Sequence, residues 1–358
     1  MNNERINKVL ESMKKRGVEQ ILVSSTSSLF YLTGQEIHSG ERMVCLYLNT
    51  NGKHKFVINK LFVVEENKDM DYVWYDDIEN PVEVLGKVID HSKALGVDKD
   101  WKAHFLIGLI DNNAAKSYFN ASPIIDELRM EKDELEKELM REASKINDEV
   151  MAEIKGLISE EKTEKEIASI ITEKYEAKGT EGCSFPPIVA YGGNAADPHC
   201  MPGNNKLKVG DCIVIDTGCR NKNYCSDMTR TFFYKEVSEK HREIYEIVLE
   251  ANKRAIKAVK PGIKFSDVDK AARDYIISKG YGEYFTHRTG HCIGIEVHDF
   301  GNVSSVNHDI LKPGMIFSIE PGIYLKDDIG VRIEDLVMVT EDGCEILNKY
   351  NKELTIIK

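Results

Sequence analysis

The segment IVIDTGCRNKNYCSDMTRTFF, residues 213–233, constrains the fold of this chain more than any other. Apolar residues alternate into a polar turn and emerge again as aromatics, the pattern of a β-hairpin. Yet its two arms carry Asp216 and Asp227, where a half-buried sheet should hold no charge. An unpaired carboxylate in a core is expensive and is normally neutralised or replaced. Any fold built on this hairpin must bring positive charge to both aspartates.

The same contradiction recurs downstream. His291 lies in HRTGHCIGIEVHD, Glu320 in GMIFSIEPGIY and Glu334 in GVRIEDLVMV, each inside text that otherwise reads as buried strand. One such residue alone would be an ordinary core ion pair, and Arg230 or Arg332 could neutralise it. Four carboxylates and an imidazole together outnumber two arginines. A pair of divalent cations balances them, by the charge logic of metal sites. Oxygen-rich ligation with one histidine and no thiolate favours Mn, Fe, Co or Zn over a cysteine-rich zinc site, and the imidazole disfavours Mg or Ca.

At 358 residues, two domains are the natural expectation. A net charge of −12 without any Lys/Arg block argues against nucleic acid or an anionic membrane as partner. The N-terminal segment lacks the apolar stretch of a signal peptide, and no apolar run approaches the ~20 residues of a membrane span. Eight cysteines with no CxxC pair read as reduced thiols of a cytoplasmic protein.

Residues 1–125 read as a small α/β unit: a helix over 4–16, a strand at QILVSS, a hairpin across Asn51-Gly52, a helix from Pro81 toward Ala94, and a strand at LGVD. Past residue 126 the periodicity predicts one long, charge-rich helix burying Leu135, Leu139, Ile146, Val150 and Ile154. A helix over 163–178 follows, with Thr163 and Glu166 as a capping box. Helices over 238–259 and 266–279 are split at Pro261-Gly262, with Ser266 placed to cap the second.

Five segments, VAYGGNAADPH, IDTGCRNKNYCSDMTRTF, HRTGHCIGIEVHD, IFSIEPGIY and GVRIED, occur in this order between about residues 130 and 350. In residue type and spacing this part resembles the pita-bread metallopeptidases: Xaa-Pro aminopeptidases, Xaa-Pro dipeptidases (prolidases), methionine aminopeptidases and the related creatinase. The resemblance implies an α+β chain, with a pita-bread catalytic domain over 126–358 preceded by a creatinase/prolidase-type α/β domain over 1–125. It implies that Asp216, Asp227, His291, Glu320 and Glu334 hold two divalent metal ions, Mn first and Co, Fe or Zn as alternatives. Asp227 and Glu334 match the bridging ligands and Glu320 the general base. His199, His287 and His298 match residues lining the substrate pocket, and Arg332 matches an arginine that supports the same site, either by orienting Glu334 or by contacting substrate.

His287 stands four residues before His291, as in proline-specific members, and the added N-terminal domain is absent from the small methionine aminopeptidases. The implied substrate is therefore an Xaa-Pro bond in a dipeptide or at the N-terminus of a short peptide, and the implied assembly a homodimer. One departure is Cys292, where relatives usually carry glycine. Rival expectations are a lyase or other hydrolase on the same scaffold, or a binding module that has lost catalysis.

Overall fold

The computed structural model describes residues 2–68 and 70–358. The chain separates into two compact units, one ending at Arg129 and the other running Met130–Lys358.

The first unit is built on a six-stranded mixed sheet. Its strands lie in the order Asp71–Tyr75, Lys55–Asn59, Cys45–Asn49, Gln20–Val23, Ala94–Val97, Ser117–Asn120. The middle three pair antiparallel and the flanking joins are parallel. Helix Asn3–Lys15 buries Ile6, Val9 and Met13, the apolar stripe expected of it. The helix opened by Pro81 is shorter than its sequence suggests and ends at Gly86. The buried Gln20 amide captures the chain beyond it, donating to the Asp90 carbonyl (2.9 Å) and accepting from the Asp90 N–H (3.0 Å). That pair replaces the helical hydrogen bonds that would have carried the helix toward Ala94.

The second unit centres on a four-stranded sheet ordered Ile356–Ile357, Met228–Tyr234, Cys212–Thr217, Ile188–Tyr191. Both faces of its central hairpin are buried. Cys212, Val214 and Phe233 face one core, with helices Glu239–Ala258 and Phe265–Ser278. Ile213, Ile215, Phe232 and Tyr234 face another, with helices Glu134–Lys155 and Glu164–Ala177. The half-buried hairpin expected from alternation is thus a fully enclosed one, which sharpens the problem its aspartates pose. A three-stranded sheet (Ile316–Ile319, Asp335–Val339, Cys344–Ile346) and a ribbon pairing Gly322–Leu325 with Ile329–Arg332 complete the frame of the site.

Two further helical expectations need correction. The long helix is interrupted: one helix ends at Met130, and the next begins at Glu134 with Asp133 as its cap. The Asp133 carboxylate accepts from the Glu136 N–H (2.9 Å) and the Glu136 carboxylate from the Asp133 N–H (3.0 Å), so the break is a capping box inside charge-rich text. Leu135 consequently falls in the first turn and is 67% exposed, while Met140, Ala143, Asn147, Val150, Met151 and Ile154 form the buried stripe. Ser266 is not a cap either. Its helix starts at Phe265, Asp267 accepts from the Lys264 N–H (3.2 Å), and the Ser266 hydroxyl turns to His308 (3.3 Å).

Candidate metal centre

The hairpin delivers the first two carboxylates. Asp216 sits opposite Thr229 in the ladder. Beyond it the arms narrow to a two-residue ribbon, Arg220–Asn221 against Tyr224–Cys225, closed by Lys222 and Asn223 at φ 50° and 67°. Two successive left-handed residues make a tight turn whose twist suits a hairpin. The returning arm then places Asp227 just ahead of strand Met228–Tyr234.

His291 and Glu320 are brought together by a close backbone approach. A Cβ added at Gly290 would lie 1.8 Å from the Ser318 carbonyl oxygen, so only glycine fits there. The His291 N–H donates to the Ser318 hydroxyl (3.0 Å), and the Glu320 N–H to the Thr289 carbonyl (2.8 Å). Glu334 is seated by its own N–H, which donates to the Thr229 carbonyl (3.1 Å).

The result brings the five residues singled out by the sequence near one another, with Asp227, His291 and Glu334 sharing one buried point and Glu320 partly exposed. Ligand atoms of Asp227, His291 and Glu334 all lie within 4.8 Å of one another. His291 Nε2 is 3.5 Å from both Asp227 Oδ2 and Glu320 Oε1. Its Nδ1 sits 3.2 Å from the Cys292 carbonyl, an acceptor only, so the proton belongs on Nδ1 and the Nε2 lone pair faces the carboxylates. Asp216 Oδ1, Asp227 Oδ1 and Glu334 Oε1 are buried and accept no hydrogen bond from the described residues. Burial first, and then the neighbouring carboxylates, push the Asp227 and Glu334 carboxyls far above their ordinary range. Buried, unpartnered carboxylate oxygens beside an imidazole lone pair fit divalent cations as their partners.

The arginines do not do this work. Arg230 is buried and spends its donors on Asp335 (2.8 Å) and on the carbonyls of Thr229, Glu334, Tyr350 and Asn351. Arg332 reaches only one of the four carboxylates, donating to Asp216 Oδ2 at 2.7 Å. Its Nε donates to the Thr229 hydroxyl (3.1 Å), which donates in turn to Glu334 Oε2 (2.8 Å). Arg332 therefore orients Glu334 through Thr229 rather than by direct contact.

Thr229 was not singled out in the sequence, because threonine in a strand is unremarkable there. Groups standing behind metal ligands typically contribute about 10–100-fold in affinity or activity. Thr229→Val, which keeps the shape and removes the hydroxyl, is expected to lower divalent-ion affinity within that range, measured by competition with a chelating dye. Unchanged affinity would detach Thr229 from the centre.

The remaining sequence-predicted residues lie around this cluster. His298 stacks edge-on against His291, with ring centroids 4.3 Å apart. Partial desolvation, then His291 and Arg288, pull its pKa down to about 4. His199 is exposed, its N–H held by Asp197 (3.0 Å), and it contributes to the field at His298. His287 Nδ1 lies 2.7 Å from the Arg288 carbonyl and must donate there, so its Nε2 accepts from the Tyr324 hydroxyl at 2.9 Å. That hydroxyl accepts from Arg332 Nη1 (3.0 Å). Tyr324 thus links Arg332 to His287, a role that an aromatic residue in strand-like text gave no signal for. Cys292 is buried in the same apolar core as Met130, with its Sγ beside Gly301.

With this geometry in view, comparison with known proteins is specific. Residues 5–131 match the creatinase/prolidase N-terminal domain and residues 138–341 match metallopeptidase family M24. An uncharacterized peptidase of Staphylococcus haemolyticus is 36% identical over 97% of this chain and 99% of its own. Among solved structures, a dipeptidase of Pyrococcus horikoshii is 39% identical, with a TM-score of 0.92 over 98% of this chain and 99% of that one. A prolidase of Thermococcus sibiricus is 36% identical, with a TM-score of 0.93 over 99% of each chain. An Xaa-Pro dipeptidase of Bacillus anthracis is 30% identical, with a TM-score of 0.90 over 99% of each chain. These matches run the length of both units, and the chain belongs to metallopeptidase family M24.

Proposed function

We propose that this chain hydrolyses Xaa-Pro bonds, in dipeptides or at the N-terminus of short peptides, with two divalent cations held by Asp216, Asp227, His291, Glu320 and Glu334. The observation that carries the reading is the convergence of Asp227, Glu334 and His291, beside buried oxygens on Asp216, Asp227 and Glu334 that accept no hydrogen bond from the described residues. Bound there, the cations supply an activated water near neutral pH and polarise the scissile carbonyl. Asp227 and Glu334 would offer carboxylates to both ions, and Asp216, His291 and Glu320 would complete the donor set. Manganese is the first expectation for the native metal.

The chain's own residues supply the rest. Glu320 is assigned as general base: its side chain is 16% exposed, against 6% for Asp227, and Ser318 holds its Oε1 at 3.1 Å. Its partial exposure leaves it able to exchange a proton with solvent. His199, His298 and Arg332 are assigned to binding substrate and stabilising the developing charge. An Xaa-Pro bond carries no N–H, so recognition rests on shape and on the groups either side of it. The printed identities of the structural relatives, among them a prolidase and an Xaa-Pro dipeptidase, support this bond class. A cytoplasmic homodimer belongs to the same reading, supported by eight free cysteines and the family resemblance.

The direct test is proline release from Ala-Pro and Gly-Pro, compared with the corresponding Xaa-Pro-Yaa peptides, in Mn²⁺ buffer. Release that disappears with chelator is expected. No release from any of these peptides by metal-replete protein would remove the assignment. A further expectation concerns His287: His287→Ala slows turnover while bound metal stays at the wild-type level. Because the Tyr324 hydroxyl donates to that ring while also accepting from Arg332, Tyr324→Phe should cost less in the double variant than it does alone. Loss of metal in His287→Ala would make the histidine a ligand instead.

A further inference from the structure

Two cysteines outside the metal centre stand opposite each other in a strand register suited to bridging. Cys183 and Cys219 form an isolated antiparallel bridge between the segment after helix Glu164–Ala177 and the stem of the aspartate hairpin. The hydrogen bonds around it fix which kind of pair it is. The Arg220 N–H donates to the Gly182 carbonyl (2.9 Å), and the Ser184 N–H to the Gly218 carbonyl (2.9 Å). These bonds join the residues on either side, so Cys183 and Cys219 are themselves a non-hydrogen-bonded pair.

At such a pair the Cα atoms lie about 4.5 Å apart and the side chains approach most closely. A disulfide asks for a Cα separation of about 4.4–6.8 Å. Both side chains lie on the same side of the bridge, against one apolar core that contains Cys219 and is flanked by Cys183. No other pair among the eight free cysteines is joined by a described bridge or ladder.

We infer that Cys183 and Cys219 are a cross-strand disulfide site, oxidised by a peroxide and reopened by a dithiol, which staples the 178–186 segment to the hairpin carrying Asp216 and Asp227. Cys183 is half-buried and Cys219 fully buried, so Cys183 is the thiol a peroxide meets first. Its sulfur attacks the O–O bond, forming a sulfenic acid and releasing one water. The Cys219 sulfur then displaces the sulfenic hydroxyl, forming the S–S bond and releasing a second water. The two thiols together lose two electrons and the peroxide gains them. Burial pushes both thiols upward, Cys219 to about 11, so the bridge forms slowly. That makes it a staple for prolonged oxidation rather than a rapid sensor.

What the staple holds is specific. The Cys219 N–H donates to the Ser226 hydroxyl (2.9 Å), and the Ser226 N–H donates to the Cys219 carbonyl (2.8 Å). Ser226 directly precedes Asp227, so fixing Cys219 fixes the foot of the hairpin from which Asp227 projects.

The test is peptide mapping of the full-length protein after hydrogen peroxide, with and without later dithiothreitol, alongside melting temperatures. The expected result is a dithiothreitol-sensitive species joining the Cys183 and Cys219 peptides, lighter by two hydrogens than the separate thiols. The oxidised wild type should melt about 5 °C or more above its reduced form. Cys183→Ser, at the half-buried position, should lose both the linkage and the shift, whereas Cys200→Ser should keep both. Should Cys219→Ser fail to fold, Cys183→Ser alone still decides. Irreversible sulfinic acid at Cys183 without linkage, or bridges to other cysteines in equal yield, would overturn the inference. None of these readouts uses peptidase activity, so the outcome is independent of the proposed reaction.

Discussion

Glu334→Gln is expected to leave the chain folded while lowering kcat/KM on Ala-Pro by more than ~100-fold, since even groups behind metal ligands contribute about 10–100-fold. The amide oxygen can still accept from Thr229, which preserves the local packing. Its NH2, however, would replace the unpartnered Oε1 and point a donor where a cation needs an acceptor. The same substitution has an opposite consequence for the stripped protein. Without cations, Glu334 must either stay charged beside Asp227, Glu320 and Asp216 in a buried space or take up a proton, and the neutral amide removes that cost. After exhaustive chelation the variant should therefore melt above the wild type, and in saturating Mn²⁺ the order should reverse. Equal turnover in the two proteins would remove Glu334 from the reaction. A variant less stable than wild type under chelation would mean that Glu334 is a structural acceptor.

Arg230→Met should produce the largest loss of stability. Arg230 is 1% exposed, and its guanidinium joins strand Met228–Tyr234 to Asp335 and to the chain near Tyr350 and Asn351. Removing one member of a buried ion pair generally costs about 3–5 kcal/mol, because the partner and the bonded carbonyls are left unsatisfied. Asp335 retains Lys352 at 2.5 Å, which places the expected loss toward the lower end of that range. Urea denaturation of metal-free protein measures it directly. A loss under about 1 kcal/mol, the size of an ordinary substitution, would show that Lys352 alone suffices.

The contrast between these two charged residues explains what the sequence made legible. Charge inside apolar strand text violates burial, so Asp216, Asp227, His291, Glu320 and Glu334 stand out as a set although each alone would pass for a core ion pair, and the structure brings them near one another. Which cation neutralises which carboxylate was not readable. Arg230 and Arg332 sit two residues from Met228 and Glu334 in chains of similar character, yet one serves Asp335 and the other Asp216. That choice depends on sheet pairing across more than a hundred residues.

Thr229, Tyr324 and Ser318 escaped notice for a different reason. Hydroxyls are common in strands, and only the third dimension shows that each holds a functional group. The interruption before Glu134 was hidden because an acidic capping box inside a charge-rich helix has the same composition as the helix itself. The Asn147 amide lies on that helix's buried face because it donates to the Thr217 carbonyl (2.8 Å) and accepts from Tyr175 (2.7 Å), partners that no periodicity reveals.

The measurement closest to the central claim is a titration of chelator-stripped protein with Mn²⁺, scoring bound ions per chain and proline release from Ala-Pro on the same samples. Two ions per chain are expected at saturation, with release tracking their uptake and Asp227→Asn losing both. Undiminished release from the stripped protein, or saturation without any ion retained, would contradict the account.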